Sequence, residues 1–187
     1  MVKNYKISTP FFEFGPKAYL YGDKLLELMK KIDTYAEKYD MDVIADVQTT
    51  DLRLIAENTS DRIHVYSQHM DSIPVGRGMG TILPEAVKAT GAVGVMLNHA
   101  ECKLTLDEIK KAIERADEVG LATIVCADTE EEIKAVAEMN PNIVVAEPSE
   151  LIGTGISVGR EYVDACIELV KSVNPEIYPI ASPLIAP

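Results

Sequence analysis

Apolar residues along the chain follow two alternating rhythms. Short, nearly continuous runs rich in β-branched residues recur at "MDVIADV" (41–47), "RIHVYSQ" (62–68), "GAVGVMLN" (91–98), "LATIVCAD" (121–128), "NIVVAE" (142–147) and "EIYPIA" (176–181). "TPFFEFG" (9–15) is a weaker member of the series at the front. Runs of this kind fit strands covered on both faces, as in parallel sheets.

Between the runs the apolar spacing lengthens to three and four residues. "GDKLLELMKKIDTYAEKYD" (22–40) places Leu25, Met29, Ile32, Ala36 and Tyr39 on one helical face. "TLDEIKKAIERADEVG" (105–120) opens with Thr105 and Glu108 at capping-box spacing, carries a buried stripe of Leu106, Ile109, Ile113 and Ala116, and stops at Gly120. "TEEEIKAVAEM" (129–139) repeats the box with Thr129 and Glu132. "LPEAVKATG" (83–91) puts Pro84 where a first helical turn tolerates it, and "REYVDACIELVKSV" (160–173) is the last clear helix.

Strand followed by helix, repeated from end to end, is the signature of βαβ crossovers and a parallel sheet, hence an α/β fold. No linker or low-complexity stretch divides the chain, so residues 1–187 are expected to form a single domain. An open doubly wound sheet and a (β/α)8 barrel both fit the alternation. Polar residues gather where the strands end: Lys17, Asn98, His99, Glu101 and Glu147. In a barrel those ends share one face, and active sites are built there.

Composition narrows the function. The chain has 187 residues, 47% of them hydrophobic, enough for a sizeable core. A net charge of −12 argues against nucleic acid as a partner, and an anionic substrate would need locally placed cations. No apolar run approaches a membrane span and no signal peptide opens the sequence, so neither a membrane nor a secretory route is expected. The three cysteines, Cys102, Cys126 and Cys166, form no CxxC pair. That makes a zinc site or disulfide framework improbable and points to a reducing cytoplasm.

Several residues carry candidate chemistry. Glu147 ends the apolar run "NIVVA", an unusual place for an acid, and Pro148 and the "GTG" of 153–155 follow it. Such glycines allow close backbone approach, and their N–H groups form a nest for an anion. The loop lacks the GxxxxGK[ST] pattern, so an ATP site is not indicated. His99, in "VGVMLNHAE" (93–101), stands at another strand tip, where a lone histidine is more often a structural hydrogen-bonder. His64 lies inside a strand and His69 in a loop, both in weaker contexts, while Glu150 reads as a solvated loop or turn residue. Lys17 follows the first strand; most lysines there are simply solvated, but an anionic substrate in an acidic protein needs such a cation.

Taken together, these stretches resemble the triosephosphate isomerase family, in its shorter, archaeal-type branch. "AEPSELIGTG" (146–155) resembles the family's flexible-loop signature, "LNHAE" (97–101) its histidine motif and "GPKAY" (15–19) its first-strand lysine motif. The order Lys, His, Glu, GTG agrees, as do "LPEAVKATGAVGVMLNHAE" (83–101) and "DEVGLATIVCAD" (117–128), so the resemblance spans about residues 9 to 178. It implies a (β/α)8 TIM barrel and an aldose–ketose isomerase acting on a small sugar phosphate through an enediolate, most directly triose phosphate, with neither cofactor nor metal. On that reading Glu147 is the base, His99 polarises the carbonyl as neutral imidazole, and Lys17 offsets the developing charge. Glu101 is the supporting acid, and Gly153, Thr154 and Gly155 belong to the loop that closes over the phosphate.

The departures are local. Gly15 stands where the family has asparagine, Met79 where loop 3 carries threonine, and Ala100 where a serine follows the histidine. They point to a remodelled substrate end: another short ketose phosphate such as a tetrulose phosphate, or a member without activity. A barrel also needs eight strands, and seven runs are present, with "YPIASPLIAP" (178–187) in place of the family's second glycine-rich phosphate loop. The expectation is a barrel incomplete at its C-terminus. An aldolase would want a Schiff-base lysine at a central strand end, which the later strands lack. In the family, loop 3, here "HMDSIPVGRGMGT" (69–81), docks into a neighbouring subunit. Its apolar Ile73, Pro74, Val75 and Met79 lead to an expected homodimer or homotetramer.

Overall fold

The computed structural model describes residues 1–2, 5–151, 154 and 158–181. Gly153, Gly155 and the final residues 182–187 lie outside the described residues. Each of the seven expected runs contains a strand: β1 (Phe11–Phe14), β2 (Asp42–Val47), β3 (Ile63–Ser67), β4 (Gly94–Leu97), β5 (Ala122–Ala127), β6 (Ile143–Ala146) and β7 (Tyr178–Ala181). Between them lie α1 (Gly22–Tyr39), α2 (Leu52–Ala56), α3 (Pro84–Ala89), α4 (Leu106–Val119), α5 (Glu130–Glu138) and α6 (Arg160–Val173). The short α2 was not anticipated, because its five residues span too little to show a helical period.

Strand order follows the chain, β1 to β7, and the registers of β1–β2, β2–β3, β3–β4, β5–β6 and β6–β7 are all parallel. A doubly wound sheet reverses its order at a switch point. Sequential order with helices between the strands is that of a (β/α)8 barrel, which decides between the two folds the alternation allowed. Seven strands of that barrel fall among the described residues. Every residue of β2, β4, β5 and β6 is buried, as their continuous apolar runs require.

The elements fall into two compact units, one of residues 2–96 and 114–122, the other of residue 1, 97–113 and 123–187. In the first, Leu25, Met29 and Ala36 of α1 are buried, as are Ile44, Leu52 and Ile55. α1 has no side-chain cap of its own at Tyr21; the Asp51 carboxylate accepts from the Gly22 N–H at 2.9 Å and fills that need. Tyr39, expected on the buried face, is 62% exposed: it stacks on Tyr35, with Lys38 over both rings. Arg115 ties α4 to loop 3 and α3, donating to the Ile73 carbonyl at 3.1 Å and to Glu85 at 2.7 Å.

β3 and β4 show why a glycine is needed at 94. Tyr66 and Gly94 are register partners, and a Cβ on Gly94 would lie 2.1 Å from the Tyr66 ring. The same unit encloses an acid. Asp46 is 1% exposed, with Glu13 as its acidic neighbour. Burial first, then the charge of Glu13, push its carboxyl well above the ordinary 3.8. His64 is a structural residue of β3, with Nε2 3.3 Å from Asp42 and the Tyr5 ring edge-on to it.

In the second unit, Ile124 and Val125 of β5, Val144 of β6, Ile133 and Val136 of α5 and Val170 of α6 are buried. β5 and β6 are registered at their starts by Asn142 and Thr123, each side chain accepting from the other's N–H, at 3.2 and 3.3 Å. The Thr105–Glu108 box forms as spaced: the Thr105 N–H donates to Glu108 at 2.8 Å and the Glu108 N–H to Thr105 Oγ1 at 3.3 Å. Leu106, expected in the buried stripe of α4, is instead 51% exposed; it begins the first turn and the stripe starts at Ile109.

Candidate active site

β4 ends at Leu97, and the chain leaves it through Asn98, whose φ of 58° is left-handed. Asparagine is among the few residues that accept this conformation readily. Its side chain, 5% exposed as a residue, spans two elements: Nδ2 donates to the Cys126 carbonyl at 2.9 Å and Oδ1 accepts from the Leu104 N–H at 2.9 Å. The turn thus held presents His99. The Cys102 N–H closes it on the His99 carbonyl at 2.8 Å, and the Glu101 N–H donates to His99 Nδ1 at 3.2 Å. A donor at Nδ1 leaves the proton of a neutral ring on Nε2.

That Nε2 lies 3.8 Å from Oε2 of Glu147. Glu147 follows β6 directly, and its N–H donates to the Ala127 carbonyl at 2.9 Å. The two side chains are 18% and 13% exposed, so both are largely shielded from water. A proton donor and a carboxylate therefore face each other in a mostly dry place, at a distance too long for a hydrogen bond. That arrangement suits proton transfer between adjacent atoms of a bound molecule.

Beyond Glu147, Pro148 leads into a 3-10 turn, Ser149–Leu151. Glu150 is exposed on it, as read from the sequence. The Ser149 N–H donates to Asp128 Oδ1 at 2.7 Å. Burial works against ionisation of Asp128, but the Ser149 hydroxyl and N–H, with Lys103, outweigh it and hold the carboxyl below its ordinary range. Asp128 was not singled out beforehand. The signal was there: it is the polar residue that ends "LATIVCAD", as Glu147 ends "NIVVAE".

Lys17 stands past the end of β1 with φ 50°, its carbonyl accepting from Gln68 Nε2 at 3.0 Å and Gln48 Nε2 at 3.4 Å. The exposed Thr154 donates its hydroxyl to the Leu151 carbonyl at 2.7 Å. His69 Nε2 lies 3.7 Å from Asp71. Among the described residues, no group of three or more histidines, cysteines and acids is arranged to hold a metal ion. No helix among them is long and apolar enough to cross a membrane.

Comparison with known proteins decides the family. A model of the family described as triosephosphate isomerase matches residues 15–183. The triosephosphate isomerase of Methanobacterium bryantii is 40% identical over 174 residues, 90% of this chain and 76% of that protein. Those of Sulfurisphaera tokodaii and Sulfolobus acidocaldarius are 37% and 38% identical over 170 residues, each covering 90% of this chain and 73% of the relative. The chain belongs to the triosephosphate isomerase family. Membership agrees with the barrel strand order and with the motifs around His99 and Glu147. It makes the chain a member of a family of isomerases.

Proposed function

We propose that this chain interconverts glyceraldehyde 3-phosphate and dihydroxyacetone phosphate through an enediolate. The observation that carries the reading is the pair itself: His99 Nε2, made the donor by Glu101 at Nδ1, faces Glu147 Oε2 at 3.8 Å. Glu147 removes the proton from the carbon next to the carbonyl. The α-proton of a hydroxycarbonyl is weakly acidic, so the carboxylate succeeds only if the oxyanion is stabilised as it forms. His99 donates from Nε2 to that oxygen. Lys17 supplies the cation that an acidic protein otherwise denies an anionic substrate, and Glu101 supports through its N–H on the imidazole. Thr154, with Gly153 and Gly155, belongs to the loop that covers the phosphate, keeping water out and the enediolate from losing phosphate. Neither cofactor nor metal enters this chemistry. The chain is read as one barrel domain, working in the cytoplasm as a homodimer or homotetramer.

A second reading is an isomerase for another short ketose phosphate, such as a tetrulose phosphate. It draws on Gly15, where a Cβ would meet the Glu13 carboxyl at 3.1 Å, so an acid occupies space that a side chain at 15 would take. A non-catalytic member is the remaining alternative. One experiment separates the three. The purified protein is given three-, four- and five-carbon sugar phosphates in D2O, with isomerisation and deuterium incorporation followed by NMR. Exchange and turnover with triose phosphate alone are expected. Preference for a four-carbon substrate would favour the second reading, and no exchange with any would sink both enzymatic ones.

A further inference from the structure

Three consecutive residues at the exit of β5 hold both members of the His99–Glu147 pair. The Cys126 carbonyl accepts from Asn98 Nδ2 at 2.9 Å, and Asn98 immediately precedes His99. The Ala127 carbonyl accepts from the Glu147 N–H at 2.9 Å. The Asp128 carboxylate accepts from the Ser149 N–H at 2.7 Å. Pro148, between Glu147 and Ser149, has no N–H to offer. Both donors that flank it are therefore taken, and by adjacent residues of one strand exit.

We infer that Asp128 is a positioning residue for the isomerisation: by fixing the Ser149 N–H, its carboxylate sets where Glu147 stands against His99. The inference rests on the reading of Glu147 as base and His99 as electrophile. Its physical basis is leverage. A glutamate carboxylate sits at the end of a flexible side chain, so its place depends on how firmly the backbone beneath it is held. The Ala127 contact holds that backbone on one side only. Without Asp128, the Ser149 N–H becomes one of the unpaired donors at the start of the 3-10 turn, and the chain beyond Glu147 is free to swing.

Asp128 is equipped for this task. A bond from an N–H to an ionised carboxylate is shorter and stronger than a neutral one. The Asp128 N–H is itself anchored, donating to Glu132 Oε2 at 2.9 Å, so the glutamate of the α5 capping pair secures the residue that secures the turn. Lys103, on the loop that follows His99, stands 3.9 Å from both Asp128 and Glu132; at that distance and exposure it adds little.

The test uses Asp128→Ala, Asp128→Asn and Ser149→Pro in the full chain, with two readouts. The first is steady-state isomerisation of triose phosphate. Asp128→Ala should lower kcat on the order of 10- to 100-fold while KM moves by less than about threefold, since misplacing a reacting group costs mainly in the transition state. Asp128→Asn keeps an oxygen acceptor for Ser149 and should stay within about threefold of the parent, and Ser149→Pro, which deletes the N–H, should reproduce Asp128→Ala. The second readout needs no turnover: the NMR signals of the His99 ring at fixed pH. Glu147→Gln should displace the signals of the Nε2 edge by altering the group 3.8 Å away, and Asp128→Ala should displace them part of the way in the same direction. Asp128→Asn removes the same charge as Asp128→Ala but should leave them nearly in place. Parental kcat and ring signals in Asp128→Ala, or equal losses in Asp128→Asn, would overturn the inference. If the parent isomerises nothing yet His99 responds as described, the function is wrong and the positioning stands. If the parent turns over and Asp128→Ala matches it, the positioning alone is wrong.

Discussion

Nε2 of His99 faces Oε2 of Glu147 across 3.8 Å, while Nδ1 of the same ring accepts from the Glu101 N–H. The gap exceeds a hydrogen bond, so donor and carboxylate do not satisfy each other and a third group can engage both. Widening that gap should be costly. Glu147→Asp withdraws the carboxylate by about one methylene and is expected to reduce kcat on the order of 10²-fold or more, with a much smaller change in substrate binding. Glu150→Asp, on the exposed turn three residues on, is the control and should be nearly neutral. Stopped-time assays with deuterium incorporation at the carbon beside the carbonyl check both; unchanged turnover in Glu147→Asp would remove it as the base.

The buried acid at Asp46 should shape stability against pH. Its native pKa is raised, so the folded chain keeps a proton that the unfolded chain gives up above about pH 4. The stability it contributes is full below that point and is lost as pH rises through the native value, at up to about 1.4 kcal/mol per pH unit. Asp46→Asn has no proton to lose and should flatten this part of the profile. Urea unfolding at a series of pH values measures it; parallel profiles for the two proteins would show that Asp46 is not the source.

Gly94→Ala should destabilise by overpacking. The added carbon would meet the Tyr66 ring at 2.1 Å, and Tyr66 is 0% exposed, so the ring has little room to retreat. A loss of about 1–3 kcal/mol is expected, seen as a lower urea midpoint at unchanged slope. Shrinking Tyr66 to leucine in the same chain should recover part of it, because the two residues share one contact. An additive pair of losses would speak against this explanation.

Loop 3 carries Val75, 70% exposed, and Met79, fully exposed. Two exposed apolar side chains on one loop suit contact with another protein surface. In solution the chain should sediment as a dimer or tetramer, and Met79→Glu should shift it toward monomer. Sedimentation velocity at micromolar concentration tests both, and a monomeric parent would exclude loop-3 docking.

What the sequence determined by itself is whatever depends on near neighbours. Strand and helix positions follow from spacings of two to four residues, and the Thr105–Glu108 box closes because both partners lie within one turn. The motifs holding His99 and Glu147 were legible for the same reason: their residues are contiguous, and each follows an apolar run. Burial was less legible. Tyr39 and Leu106 sit on the expected helical faces yet are exposed, because a face is covered only as far as its partner extends. Asp46 was hidden inside an apolar run, since the acid that shares its environment belongs to another strand. Strand order, and with it the choice of barrel over open sheet, was decided only by tertiary pairing. So was the bracket of 126–128: Asn98 reaches Cys126 over 28 positions and Ser149 reaches Asp128 over 21. Hydrogen bonds between residues so far apart leave no periodic trace in the chain, because their partners meet only after the strands have aligned.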